Sequence, residues 1–182
     1  MSKLIELLEH LDYQCLQGNT DIEIKDIVYK LRTAIPDICL RTTLITGFPG
    51  ETQEDHESLL SFVDDMEFDR LGVFPYSPEE GTPAEKMERV DEDTANRRAE
   101  QIMELQYAVM EEFNAKRMGS EVKVLCEGYD EEKECFFGRS FAESPDIDGR
   151  ILFTGDDVVI DSFCTVKITD EDDGELAGRK IG

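Results

Sequence analysis

The 182-residue sequence predicts an α/β layer of parallel strands followed by a small, all-β barrel of the oligonucleotide-binding type. Three observations predict it. Up to about residue 74, apolar residues recur in the order helix, strand, helix, strand, with short connections. The turn Gly47-Phe48-Pro49-Gly50 joins a strand to a helix start, the place where open sheets and α/β barrels bind ligands. From Ser120 the hydrophobic period changes to two, and about five short strands fit between Asp- and Gly-containing turns.

Taken in order, Met1–Leu11 reads as an amphipathic helix: Leu4, Ile5, Leu7, Leu8 and Leu11 are broken by Glu6, Glu9 and His10. It lacks the continuous apolar core of a signal peptide, and no run approaches the roughly 20 apolar residues that span a bilayer. A cytoplasmic protein without a membrane partner is expected. Asp21–Ala34 is predicted helical from Ile24, Ile27, Val28 and Leu31, and Pro36 ends it. Ile38–Ile45, rich in apolar and β-branched residues, suits a strand covered on both faces. Gly47 and Gly50 permit positive φ around Pro49, and Thr52 is placed to cap a helix over Gln53–Met66, with Asp55 as its return partner.

A second strand is expected at Arg70–Phe74 and a proline-rich connector over Phe74–Ala84. Asp91–Met118 then reads as one long bridging helix, with Ala95, Ala99, Ile102, Leu105, Val109 and Phe113 as its stripe and Gly119 as its stop. In the barrel, Val122, Val124 and Cys126 alternate with charges. The runs Ile151-Leu152-Phe153 and Val158-Val159-Ile160, then Phe163, Val166 and Ile168, supply further strands. The domain boundaries expected are residues 1–24, 25–118 and 119–182.

Acid dominates: 43 acidic against 19 basic residues give a net charge of -24. From Gly119 onward there are 17 acidic and 7 basic residues, a net of -10. Such a surface repels a phosphodiester chain and attracts basic partners. The run Glu127–Glu134 and Asp146, Asp148, Asp156 and Asp157 are the candidate docking surface; Lys123, Arg139, Arg150 and Lys167 are the residues from which a local basic face would have to be built. Cys15, Cys39, Cys126, Cys135 and Cys164 are too widely spaced for an iron-sulfur or zinc motif, so no metal ligand is assigned. His10 and His56 lie among charged helical neighbours and read as solvated.

Three stretches together carry a resemblance. Arg41-Thr42-Thr43-Leu44-Ile45-Thr46-Gly47-Phe48-Pro49-Gly50-Glu51-Thr52, the loop Tyr76-Ser77-Pro78-Glu79-Glu80-Gly81-Thr82-Pro83-Ala84, and Gly138-Arg139-Ser140-Phe141-Ala142-Glu143-Ser144-Pro145-Asp146-Ile147-Asp148-Gly149 are similar to the radical S-adenosylmethionine methylthiotransferases. The barrel resembles their TRAM domain. Its Gly138–Gly149 stretch is more similar to the RimO branch, which methylthiolates an aspartate of a small-subunit ribosomal protein, than to the MiaB branch, which modifies tRNA.

The resemblance implies the carboxyl-terminal part of a radical α/β barrel of the TIM type, a TRAM domain, S-adenosylmethionine and 4Fe-4S clusters as cofactors, and a basic ribosomal protein or ribosome as partner, with RNA less favoured. It implies a cofactor-rim role for Thr43, Ile45, Gly47, Glu51, Phe74 and Tyr76, and no catalytic residue is assigned. Residues 1–24 do not match, and the C-x-x-x-C-x-x-C loop of the family is absent from this sequence, so the chain by itself is expected to lack the radical chemistry. A tRNA-modifying fragment and a noncatalytic acidic binding module are the alternatives.

Overall fold

A computed structural model describes residues 24–172 and 174–181. The helix expected over Met1–Leu11, together with His10 and Cys15, lies outside them. The chain divides into two compact units, with the boundary between Gln106 and Tyr107.

The first unit contains α1 (Ile24–Ala34), β1 (Arg41–Thr46), α2 (Gln53–Met66), β2 (Arg70–Pro75), a 3-10 turn at Pro83–Lys86, and the first part of α3 (Glu92–Arg117). The 3-10 turn corrects the expectation of a plain connector; Pro83, with φ already fixed, starts it. α2 begins as its sequence dictates. Thr52 Oγ1 accepts the Asp55 amide at 3.1 Å, and Asp55 returns the bond to the Thr52 amide at 2.9 Å. It ends at Glu67, whose left-handed φ of 45° lets its amide reach the Val63 carbonyl. Arg32 of α1 donates to the Met66 carbonyl at 2.8 Å and to that of Glu67, satisfying two carbonyls at the end of α2.

β1 and β2 pair in parallel, Thr43 opposite Gly72 and Ile45 opposite Phe74. Alternation along a strand sends successive side chains to opposite faces. Leu44, Leu71 and Val73 therefore join Val28, Val63, Met66, Phe68 and Ile102 in one apolar core. Thr43, Ile45 and Phe74 share the other face. The strand expected at Ile38–Ile45 is not covered on both sides, because the helices cover one face of the pair only; Ile45 is 52% exposed and Phe74 60%.

The second unit is a closed barrel of five strands in the order β3-β4-β5-β7-β6. They are β3 (Glu121–Asp130), β4 (Cys135–Arg139), β5 (Ile151–Thr154), β6 (Phe163–Asp172) and β7 (Glu175–Lys180). All pairs are antiparallel except β5 with β7. Closure leaves no free sheet edge. Val124, Cys126, Ile151, Phe153, Val166, Ile168 and Leu176 fill the interior. Val158-Val159-Ile160, expected as a strand, lies in the loop before β6 instead, with Val159 and Ile160 exposed. Among the described residues no helix is long and apolar enough to cross a membrane.

Candidate functional site

The residues implicated at the carboxyl end of the parallel pair fall into two groups. Thr43, Ile45 and Phe74 lie on the open face of the sheet, Ile45 level with Phe74 on the neighbouring strand and Thr43 one pair below on that face. Tyr76 follows β2, its amide bonded to the Thr46 carbonyl at 2.8 Å and its ring edge-on to Phe48 at 5.1 Å. Its hydroxyl is buried and has no hydrogen-bond partner among the described residues. Side chains of this kind form a rim with apolar surface and one unused polar atom.

Gly47 and Glu51 act differently: they build the loop. Glu51 Oε2 accepts the amides of Gly47 and Phe48, the latter at 3.2 Å. Its other oxygen lies 3.2 Å from Arg98 Nη1 and 3.8 Å from His56 Nδ1. Arg98 also donates to the Glu51 carbonyl at 3.2 Å. Gly47 takes φ 68° and presses against α3 so closely that a Cβ there would stand 2.3 Å from Ala95 Cβ. Thr46 Oγ1 donates to the Ala95 carbonyl at 2.9 Å, so the loop is docked on the first turns of α3 by backbone, hydroxyl and charge together.

His56 is not solvated, as its helical neighbours suggested. It is 1% exposed and its Nε2 meets Gln101 Oε1 at 2.9 Å. Arg98 and Gln101 were not identified from the sequence either. A signal for Arg98 existed: it stands three residues after Ala95, inside the buried stripe of α3, where a charged residue needs a partner.

In the barrel, the Gly138–Gly149 stretch is held by a buried ion pair. Arg117 donates to Glu143 Oε1 at 2.5 Å and to Ser140 Oγ at 2.9 Å, while Glu143 Oε2 accepts from the Ser140 amide and hydroxyl at 2.8 and 2.6 Å. Burial opposes ionisation of Glu143, but the Arg117 charge, the Arg117 hydrogen bond and the Ser140 bonds outweigh it and hold the carboxyl below its usual range. Further along, Ser144 donates its amide to Asp148 Oδ2 at 2.6 Å and accepts the Asp148 amide in return. Phe141 and Ile147 project from this braced loop, 69% and 76% exposed.

The four basic candidates separate as well. Arg139 is matched by Glu127 at 2.6 Å, and Arg150 by Glu175 at 3.3 Å and Asp130 at 3.8 Å. Lys123 lies over the Phe163 ring at 4.6 Å, and exposed Lys167 faces Glu121 and Arg179 across its two neighbouring strands. Of the acidic candidates, Glu131, Glu132 and Glu134 are exposed at the β3–β4 turn, and Asp156 and Asp157 are exposed before β6.

The implied cofactors fit unequally. Ile45 and Phe74 offer an apolar face of the kind an adenine ring covers, and the Tyr76 hydroxyl is an unused polar atom nearby in the chain. An iron-sulfur cluster does not fit: among the described residues no group of three His, Cys, Asp or Glu side chains could hold a metal ion, and Cys126, Cys135 and Cys164 are in no disulfide. Burial pushes the thiols of Cys126, Cys135 and Cys164 above their ordinary range, away from the thiolate that ligates iron.

Residues 118–181 match the family model described as the TRAM domain. The chain is 44% identical over 165 residues to the ribosomal protein uS12 methylthiotransferase RimO of Geobacter sulfurreducens, a match that covers 90% of this chain and 37% of that protein. It is 42% identical over 165 residues to the RimO of Acetivibrio thermocellus, covering 90% and 36%, and 38% identical over 180 residues to that of Bdellovibrio bacteriovorus, covering 96% and 39%. The chain thus spans less than two fifths of the length of these relatives.

Proposed function

We propose that this chain, which resembles the carboxyl-terminal part of the RimO methylthiotransferases and carries a TRAM barrel, serves as the substrate-docking and cofactor-rim portion of a methylthiotransferase acting on ribosomal protein uS12. The observation that carries the reading is a likeness of 44% identity along 90% of the chain to proteins of that activity. On this reading, the β1–β2 pair is a piece of a radical S-adenosylmethionine barrel. Thr43, Ile45, Phe74 and Tyr76 then lie along the cofactor, and Gly47 and Glu51 hold the loop that borders it. S-adenosylmethionine, bound beside a reduced cluster, supplies the one-electron chemistry and the methyl group of such a reaction. The chain by itself contributes binding and positioning, with the cytoplasm as its compartment.

Two expected results test it. Anaerobic treatment of the chain with iron and sulfide leaves it colourless; a brown product with the charge-transfer absorption of a bound cluster would show that its cysteines converge, contrary to this reading. A basic uS12 binds the acidic barrel at low salt and about tenfold more weakly at physiological salt, where the Debye length is about 8 Å. One observation favours a second reading. Lys123, Lys167 and Arg179 line the outer surface of three adjacent strands, so tRNA is the ligand to titrate in parallel. Binding of tRNA without binding of uS12 would move the assignment to the tRNA-modifying branch.

A further inference from the structure

The braced 140–149 loop borders a cleft of about 400 Å³ on the barrel surface, lined among others by Glu127, Phe137, Arg139, Asp146, Arg150 and Glu175. Its own cations are already matched, Arg139 by Glu127 and Arg150 by Glu175 and Asp130. Asp146 differs: it is exposed at the cleft wall and has no hydrogen bond or ion pair with any described residue. Arg150 also shows what these walls do with a guanidinium, since its own lies over the Phe137 ring at 4.7 Å while its nitrogens face Glu175 and Asp130. The same loop exposes Phe141 and Ile147, and the Arg117–Glu143–Ser140 and Ser144–Asp148 bonds fix its conformation in advance. Exposed large apolar residues on a preorganised loop beside an unmatched carboxylate are the makings of a protein-binding hot spot.

We propose that this cleft seats a basic side chain of the partner protein, with Asp146 as its counter-charge and Ile147 and Phe141 as the flanking apolar contacts. The inference rests on the reading of uS12 as the partner and goes further by placing the contact on one loop. A phosphodiester chain does not suit the position, because the exposed Asp146 carboxylate would repel it.

The test measures affinity of the full chain for uS12 at low salt, for the parent chain and three variants. Asp146→Asn keeps a residue that tolerates the φ of 60° found there, Ile147→Ser removes apolar contact at an exposed site, and Glu131→Gln makes the same charge change at the β3–β4 turn. Asp146→Asn is expected to weaken binding about fivefold and Ile147→Ser about tenfold, with Glu131→Gln within about twofold of the parent. Unchanged thermal midpoints establish that each variant is folded. Equal effects of Asp146→Asn and Glu131→Gln would make the attraction diffuse and overturn the cleft while leaving the uS12 reading intact. So would parental affinity in both loop variants. Failure of the parent chain to bind uS12 overturns the reading beneath, and the cleft with it; in a parallel titration with tRNA, binding that Ile147→Ser weakens while uS12 affinity is unchanged overturns the choice of partner.

Discussion

Replacing Glu143 with alanine is expected to destabilise the barrel by about 3–5 kcal/mol, the cost of removing one partner from a buried ion pair. The variant leaves the Arg117 guanidinium, whose side chain is 9% exposed, facing the space where its carboxylate stood. It also strips the Ser140 amide and hydroxyl of their acceptor, releasing the start of the 140–149 loop. Hydrogen exchange of β3 to β7 amides in the full chain measures the loss, and a change below about 1 kcal/mol would show the pair to be worth no more than a surface one. Replacing both partners together with Arg117→Met and Glu143→Leu should regain part of the stability, since no buried charge then remains, while the Ser140 amide and hydroxyl still lack their acceptor.

The same pair sets an acid limit. Glu143 has a folded-state pKa below its ordinary 4.5, so its contribution is present above 4.5 and is lost as pH falls through the lower folded value. Glu175, held below its usual range against burial by bonds from Lys133 and Arg150, loses its contribution in the same direction. Acid unfolding of the barrel should therefore begin below about pH 4.5, and Glu143→Gln should flatten that part of the curve.

Gly47→Ala is expected to cost about 2–4 kcal/mol in the first unit, combining a left-handed backbone with overpacking. The new methyl would meet Ala95 Cβ at 2.3 Å and its Cα at 3.1 Å, and a helix backbone does not yield as a flexible side chain does. The loop must then lift from α3, breaking the Thr46 hydroxyl bond to the Ala95 carbonyl and loosening the Glu51–Arg98 contact. Thermal unfolding gives the cost. If Gly47→Ala is neutral and the paired Gly47→Ala, Ala95→Gly variant is no more stable, the contact is not what requires glycine.

Local chemistry made much of this chain legible. α2 appears over the residues its apolar spacing and its Thr52–Asp55 cap marked out, because a capping box and a helical stripe are contained within a few turns. The turn at Gly47 and Gly50 shows the positive φ expected of both. What misled were features whose partners are far away in sequence. His56 looks solvated beside Glu54, Asp55 and Glu57, yet Gln101, 45 residues on, buries and bonds it. β7, with Glu175, Gly178, Arg179 and Lys180 among its six residues, carries too weak an alternation to be placed from its own sequence; pairing with both β5 and β6 gives it its position.

The sequence by itself determined the helices and strands of the first unit and the start of β3, the switch from helical to strand period after Gly119, the acidic character, and the three motifs that resemble a methylthiotransferase. Those properties are set by neighbours along the chain or by composition. Only the tertiary structure decided that Thr43, Ile45 and Phe74 share one open face, that Glu51 spends its carboxylate on the loop amides and Arg98, and that Arg117, 26 residues before Glu143, braces the exposed loop beside the cleft. The reason is physical: which face of a strand is covered, and which buried charge finds its partner, depends on elements brought together across the fold, and no local pattern records them.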